Sequence, residues 1–136
     1  MYRVMILFIG LAILPACSLK PRQAPNDDVD KAAILFFQRL ESEQYDKIYN
    51  DAAESYKKTY AKSDAIEAFK QIAAMGKTTQ PNRVEMRLET EDGKRVAFPK
   101  FAIQYGQVPG SIIFKFVDEG GEWKLGGFDV RQKGLS

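Results

Sequence analysis

The spacing of apolar residues changes once along this chain, and that change restricts the fold more than any other feature. From about Asp27 to Gly76 the apolar residues recur at intervals of three and four, whereas from Val84 onward they alternate with polar residues. The first pattern is typical of helices with one buried face, and the second of strands in a half-buried sheet. Helices followed by antiparallel strands predict an α+β domain.

The helical half predicts three helices. Asn26 or Asp27 caps the first, the second spans about 46–60, and Ser63 caps a third that ends at Gly76, where glycine suits a left-handed residue. The three apolar faces are Val29, Ala33, Phe36, Phe37 and Leu40; then Ile48, Tyr49, Ala52, Ala53, Tyr56 and Tyr60; then Ile66, Phe69, Ile72 and Ala73.

The alternating half predicts an antiparallel meander. The pair Asp92-Gly93 is a strong hairpin signal after the first strand. Pro99 interrupts the second strand and favours an edge position or a bulge, because proline cannot donate to a ladder. Residues 106–110 are predicted to form a loop.

The last predicted strand contains a change of phase. Trp123 and Leu125 share one face, but Phe128 is offset by an odd step. A bulge at Gly126-Gly127 is therefore predicted, since one extra residue restores the alternation.

The beginning of the chain predicts a targeting segment. No charged side chain occurs from Val4 to Cys17, and Arg3 precedes this run. The run is shorter than the roughly 20 residues that cross a bilayer core, and its basic start and small-residue end are typical of a secretory signal. A buried core helix is the alternative, but the run has no polar face. We expect a signal peptide over 1–16, a cysteine and extended linker over 17–26, and the domain over 27–136.

The end of the apolar run resembles the lipobox of bacterial lipoproteins, through Leu14, Ala16 and Cys17. The resemblance implies cleavage after Ala16 and acylation of Cys17, which would bind the chain to membrane lipid. The alternatives for Cys17 are a discarded signal residue or an intermolecular disulfide. Position 18 is serine, whereas an aspartate at this position would resemble an inner-membrane retention signal. The serine therefore favours attachment to the outer membrane, with the domain facing the periplasm.

Composition removes several kinds of chemistry. The chain has no histidine and one cysteine, which excludes histidine triads, histidine–metal sites and intramolecular disulfides. Its net charge is +2, from 20 basic and 18 acidic residues, so nothing favours nucleic acid. We expect no catalytic residue, no metal and no cofactor.

The segment from Gly121 to Val130, with Trp123 and the two glycines, resembles the closing strand of the nuclear-transport-factor-2-like fold, a cystatin-like α+β arrangement. The pattern Phe36-Phe37…Tyr45-Asp46…Tyr49 is similar to its first two helices. The resemblance implies a cone, in which N-terminal helices pack on a curved antiparallel sheet and often enclose a pocket. Its members include isomerases, small-molecule binders and interaction domains, so the fold alone does not decide function.

Several side chains have both a functional and a structural interpretation. Tyr49, Tyr105 and Trp123 are possible pocket-lining residues, although aromatic stripes more often belong to a core. Asp129 is the carboxylate that could act as a base, against the simpler role of a surface residue. The basic residues Lys94, Arg95, Lys100, Arg131 and Lys133 could face anionic head groups, but a solvated face is the default.

These observations favour a lipid-anchored, non-enzymatic interaction domain of the bacterial envelope, with an envelope protein as its partner. The alternative is a small-ligand binder, or an isomerase of the Asp/Tyr type, that uses the cavity of the cone. An inward-facing carboxylate in a deep pocket would favour the alternative.

Overall fold

The computed structural model describes residues 25–76 and 81–132. The elements in chain order are α1 (Pro25–Glu41), α2 (Tyr45–Asn50), α3 (Glu54–Thr59), α4 (Lys62–Ala74), β1 (Asn82–Glu91), β2 (Lys94–Tyr105), β3 (Val108–Glu119) and β4 (Glu122–Gln132). The strands form one antiparallel sheet in the order β1-β2-β3-β4, with each strand paired to its neighbour in sequence. The prediction of an α+β fold is confirmed. The predicted signal peptide, and the linker as far as residue 24, lie outside the described residues.

Two predicted helix caps are wrong. Helix α1 begins at Pro25, a residue type suited to the first position of a helix, so Asn26 and Asp27 lie in its first turn. Helix α4 begins at Lys62 after Ala61, so Ser63 lies inside the helix instead of capping it. The acidic residues of the first turns still favour the positive end of each helix dipole.

The second predicted helix is two short helices, α2 and α3, separated by residues 51–53. The apolar spacing was continuous across this break, so local sequence did not indicate it. At the break, the backbone N–H of Ala53 donates to the carbonyl of Leu125 in β4, at 2.8 Å. The interruption therefore lets the helical layer bond to the edge of the sheet, which compensates for the lost helical hydrogen bonds.

Pro99 does not interrupt its strand. Strand β2 runs from Lys94 to Tyr105 and lies in the interior of the sheet, where Pro99 pairs with Met86 of β1. The ladder between β2 and β3 keeps one register but has no pairs at Phe98 or Pro99. The missing N–H thus removes pairing on one side only, and neither an edge position nor a register-shifting bulge was needed.

The turns are short. Asp92 and Gly93 have φ values of 50° and 77°, which confirms the predicted hairpin and fits a turn with two left-handed residues. The predicted loop over 106–110 is instead a two-residue turn at 106–107, after which β3 begins at Val108.

The predicted bulge in β4 is confirmed. Lys115 pairs with Gly127, and Phe116 pairs with Leu125, which leaves Gly126 as the extra residue. Leu125 and Phe128 consequently lie on the same face as their partners Phe116 and Phe114.

The core lies between the helices and one face of the sheet, here called the inner face. Aromatic side chains dominate it: the ring of Phe36 on α1 lies 5.0 Å from Phe114 on β3, and Phe69 on α4 lies 6.0 Å from Phe128 on β4. The first pair is edge-to-face and the second is tilted, and aromatic contacts of this kind add to the effect of apolar burial. No helix among the described residues is long and apolar enough to cross a membrane.

Candidate functional site

A cleft of about 470 Å³ opens between α1, the α2–α3 connection and the β3–β4 hairpin. Its apolar wall contains Phe36 and Leu35 from α1, and Phe116 and Trp123 from the inner face of the sheet. Leu35 exposes 43% of its surface, which is large for a leucine. The cleft therefore presents an apolar surface to solvent next to the aromatic core.

The bulge at Gly126 determines which residues of β4 reach this cleft. Without the extra residue, Trp123 and Phe128 could not both face the helices, because strand side chains alternate between faces. With it, Phe128 packs in the core near Phe36 and Phe69, while Trp123 lies at the end of the sheet beside the cleft.

Charged side chains surround the apolar wall. Arg39 of α1 pairs with Asp51 at 2.8 Å, and its guanidinium also donates to the carbonyl of Lys47 at 3.4 Å. This arrangement joins α1 to the α2–α3 connection along one rim. The cleft is also lined by Lys31, Lys124 and Glu122. Three cations and two carboxylates thus line the opening, and two of the cations have carboxylate partners: Arg39 pairs with Asp51, and Lys31 pairs with Asp28 at 4.0 Å.

Trp123 is held in place by a second ion pair. The guanidinium of Arg95 lies over its ring, 5.2 Å from the centroid, and donates to Oδ2 of Asp118 at 2.7 and 3.0 Å. The other oxygen of Asp118 accepts from the backbone N–H of Gly121 at 3.1 Å. Only 15% of the side chain of Asp118 is exposed. This carboxylate is occupied in holding the hairpin and the indole.

Tyr49 lies away from the cleft. Its hydroxyl donates to the carbonyl of Tyr60 at 2.9 Å and approaches that of Lys57 at 3.3 Å. Tyr49 therefore links α2 to the end of α3, and its ring packs against Tyr56.

Tyr105 is at the end of β2 and does not line the cleft either. It is 1% exposed, and its hydroxyl has no hydrogen-bond partner among the described residues. Burial raises the pKa of Tyr105 to about 12. The hydroxyl therefore stays protonated under ordinary conditions, enclosed in apolar surroundings.

Asp129 is exposed and ion-paired. Its carboxylate accepts from Nε of Arg131 at 3.1 Å, and 57% of its side chain is accessible. Among the residues described, no charged side chain is buried, and no group of three or more acidic or cysteine residues could hold a metal ion. Cys17 and Ala16 lie outside the described residues, as does Lys133.

The predicted basic patch is dispersed. Lys94 approaches Glu119 at 3.8 Å, whereas Arg95 lies on the inner face beside Asp118. Lys100 is at the middle of β2 and Arg131 is paired at the far end of β4. By strand alternation, Lys94, Lys100 and Arg131 project from the outer face of the sheet, whereas Arg95 is on the inner face. The three outer charges are spread over β2 and β4, and Lys94 and Arg131 each lie beside a carboxylate.

Sequence reasoning did not identify the α1 side of the cleft. The cleft residues Leu35, Lys31 and Arg39 lie outside the five-residue apolar stripe that predicted the buried face of α1. One signal was available: Ile34 and Leu35 widen the apolar surface of α1 beyond that stripe, and both are more than a third exposed. Excess apolar residues beside a complete stripe are a feature of binding surfaces.

Comparisons with models of known protein families and with curated proteins found no significant match to this chain.

Proposed function

We propose that this chain is a bacterial envelope lipoprotein, anchored through acylated Cys17, whose nuclear-transport-factor-2-like domain binds an envelope protein without catalysing a reaction. The cleft between α1 and the β3–β4 hairpin is the binding site. The observation that carries this proposal is the nature of that cleft, which combines exposed apolar side chains with carboxylates already engaged or solvated.

The absence of poised catalytic groups in the described cleft supports binding over catalysis. An isomerase of the Asp/Tyr type needs an inward carboxylate whose pKa is tuned by burial. Asp51 is paired with Arg39 and 63% exposed, and Glu122 is also exposed. The buried hydroxyl of Tyr105 lies outside the cleft and has no carboxylate beside it among its described contacts.

The apolar wall supports a protein segment as the partner. Leu35 and Trp123 offer a surface for one or two apolar side chains beside the buried ring of Phe116, and aromatic residues are enriched where binding energy concentrates. The cations Lys31 and Lys124 at the border favour a segment that carries carboxylates next to its apolar residues.

The anchor is tested by changing Cys17 to Ser. The parent chain is expected in the membrane fraction with a mass increased by lipid, because two or more acyl chains give stable attachment. The Cys17→Ser variant should be released from the membrane or keep the mass of the uncleaved precursor. Unchanged fractionation and unchanged mass in the variant would remove the lipoprotein part of the proposal.

A small amphipathic anion is the second candidate ligand, favoured by the size of the cleft and its cationic border. Trp123 is the only tryptophan in the chain, so its fluorescence reports on this site. Titration with decanoate is expected to shift the emission and to saturate if the cleft is a ligand pocket. A matched Leu35→Gln variant should then lose affinity, while Ile34→Gln, on the same helix outside the cleft, should not. If the emission of Trp123 shows no saturable shift, the small-anion candidate is removed and binding of a protein partner stays as the proposed function of the cleft.

A further inference from the structure

Strand β1 is an edge of the sheet on which no further described strand pairs. It is 10 residues long, contains no proline, and pairs only with β2, with one register shift at Val84, between Arg83 and Glu85. Val84 and Leu88 each expose 51% of their surface. Long unpaired edges with exposed apolar residues are templates for the addition of another strand.

The position of Pro99 shows which way the backbone of β1 faces. The β2–β3 ladder lacks the two pairs that would use an N–H at Pro99, so the nitrogen of Pro99 faces β3. In an antiparallel pair, a residue opposite Pro99 must then direct its own polar groups away from β2. That residue is Met86, so its N–H and C=O point toward the open edge.

The sequence of β1 is complementary to itself in one antiparallel register. With Met86 of one copy opposite Met86 of a second, Glu85 lies opposite Arg87 and Val84 opposite Leu88. The two-fold symmetry repeats each pair, so two ion pairs lie next to the centre, and two apolar pairs lie outside them, at the register shift of Val84. Cross-strand pairs of opposite charge and of apolar residues both stabilise a sheet.

Neighbouring registers lack this complementarity. If one strand slides by one residue relative to the other, charged residues lie opposite apolar ones, for example Arg87 opposite Met86. If the strand slides by two residues, Arg87 lies opposite Arg87 for one direction of the slide, and Glu85 lies opposite Glu85 for the other. Like charges directly opposite each other destabilise a strand pair, so the register centred on Met86 is favoured over these neighbouring registers.

We propose that β1 pairs with β1 of a second copy of this chain, centred on Met86, and joins the two sheets into one. Glu85 and Arg87 share a face of β1, since their partners in β2 are Lys100 and Phe98, so the ion pairs form on one side of the joint sheet. Arg83 lies near one end of β1, where it pairs with Asp30 of α1. In the proposed register, this end lies opposite the part of the second copy's β1 that carries the exposed Leu88. This inference goes beyond the proposed function and depends on neither the anchor nor the cleft.

Disulfide trapping tests the register directly. Cys17 is the only cysteine of the chain, so a full-length Cys17→Ser background, purified in detergent, allows one thiol to be placed at will. Met86→Cys lies on the two-fold axis and is expected to give a covalent dimer on mild oxidation. Val84→Cys alone and Leu88→Cys alone should not form this dimer, because the two introduced thiols of such a dimer are offset by four residues along the paired strands. A mixture of these two variants should crosslink.

A charge exchange provides an independent readout. Arg87→Glu converts both central ion pairs into repulsive pairs and should raise the dimer dissociation constant, measured by sedimentation, about tenfold or more. The double variant Glu85→Arg/Arg87→Glu restores opposite charges and should restore the dimer. Lys70→Glu, an exposed charge reversal on α4, is the control and should leave the dimer unchanged.

Three results would overturn the proposal: a monomer throughout the concentration series, equal crosslinking at Met86 and Val84, or loss of the dimer in Arg87→Glu without recovery in the double variant. The last result is informative only for folded variants, which circular dichroism verifies, and the crosslinking pattern decides independently of it.

Discussion

Gly110 of β3 lies where a side chain has no space. A Cβ at this position would be 2.5 Å from the carbonyl oxygen of Arg131 and 3.1 Å from the ring of Tyr105. We expect Gly110→Ala to lower the free energy of unfolding by about 1–3 kcal/mol, because the strand or the ring must move. Gly127→Ala is the matched control, since its Cβ would meet only Lys115, at 3.9 Å. Equal stability of the two variants in urea unfolding would contradict this.

The buried hydroxyl of Tyr105 makes stability depend on alkaline pH. Burial raises its pKa to about 12 in the folded state, whereas an exposed tyrosine has a pKa of about 10. Folding therefore favours the protonated form, and the associated stability is fully present below pH 10 and is lost as pH rises through about 12. Burial, followed by the neighbouring Tyr60 and Tyr49, raises the pKa of Tyr56 to about 12 as well.

Tyr105→Phe should remove part of this alkaline loss. We expect the parent to lose about 2 kcal/mol more than the variant between pH 10 and pH 12. At neutral pH the variant should be at least as stable, because the hydroxyl it removes has no described partner. Urea unfolding at a series of pH values measures both. If the free energy of unfolding fell equally with pH in the parent and in Tyr105→Phe, Tyr105 would not be the cause of the alkaline loss of stability.

At the scale of elements, the hydroxyl of Tyr49 keeps α2 and α3 together. Its bond to the carbonyl of Tyr60 at 2.9 Å spans the break between the two helices. We predict that Tyr49→Phe lowers the free energy of unfolding by about 1 kcal/mol, the typical contribution of such a bond. Tyr60→Phe changes an exposed ring of the same layer and should cost less. Thermal unfolding compares them, and a greater loss in Tyr60→Phe would refute the assignment.

Sequence predicted these elements where local pattern controls them. The bulge at Gly126 followed from a phase error in β4, because the side chains of Leu125 and Phe128 must both reach the core. The break between α2 and α3 could not be predicted, since it depends on a hydrogen bond from Ala53 to a strand more than 70 residues later. Pro99 was expected to interrupt β2, but an interior strand tolerated the loss of pairing on one side.

At the scale of the whole molecule, the cleft results from packing that no local pattern contains. Its rim depends on the pair between Arg39 on α1 and Asp51 after α2, and these meet only when the helices dock. The sequence did indicate Trp123 as a possible lining residue, because its strand position was readable. The opposite wall, including Leu35, required the structure.

We propose that this cleft binds an envelope protein while the chain is attached to the membrane. The most direct measurement places a photo-crosslinking amino acid at Leu35, within the cleft, and separately at Ile34, on the adjacent surface of α1. In intact cells, position 35 is expected to give one discrete adduct that fractionates with membranes and is absent at position 34. No adduct at position 35, or the same adducts from both positions, would contradict the claim.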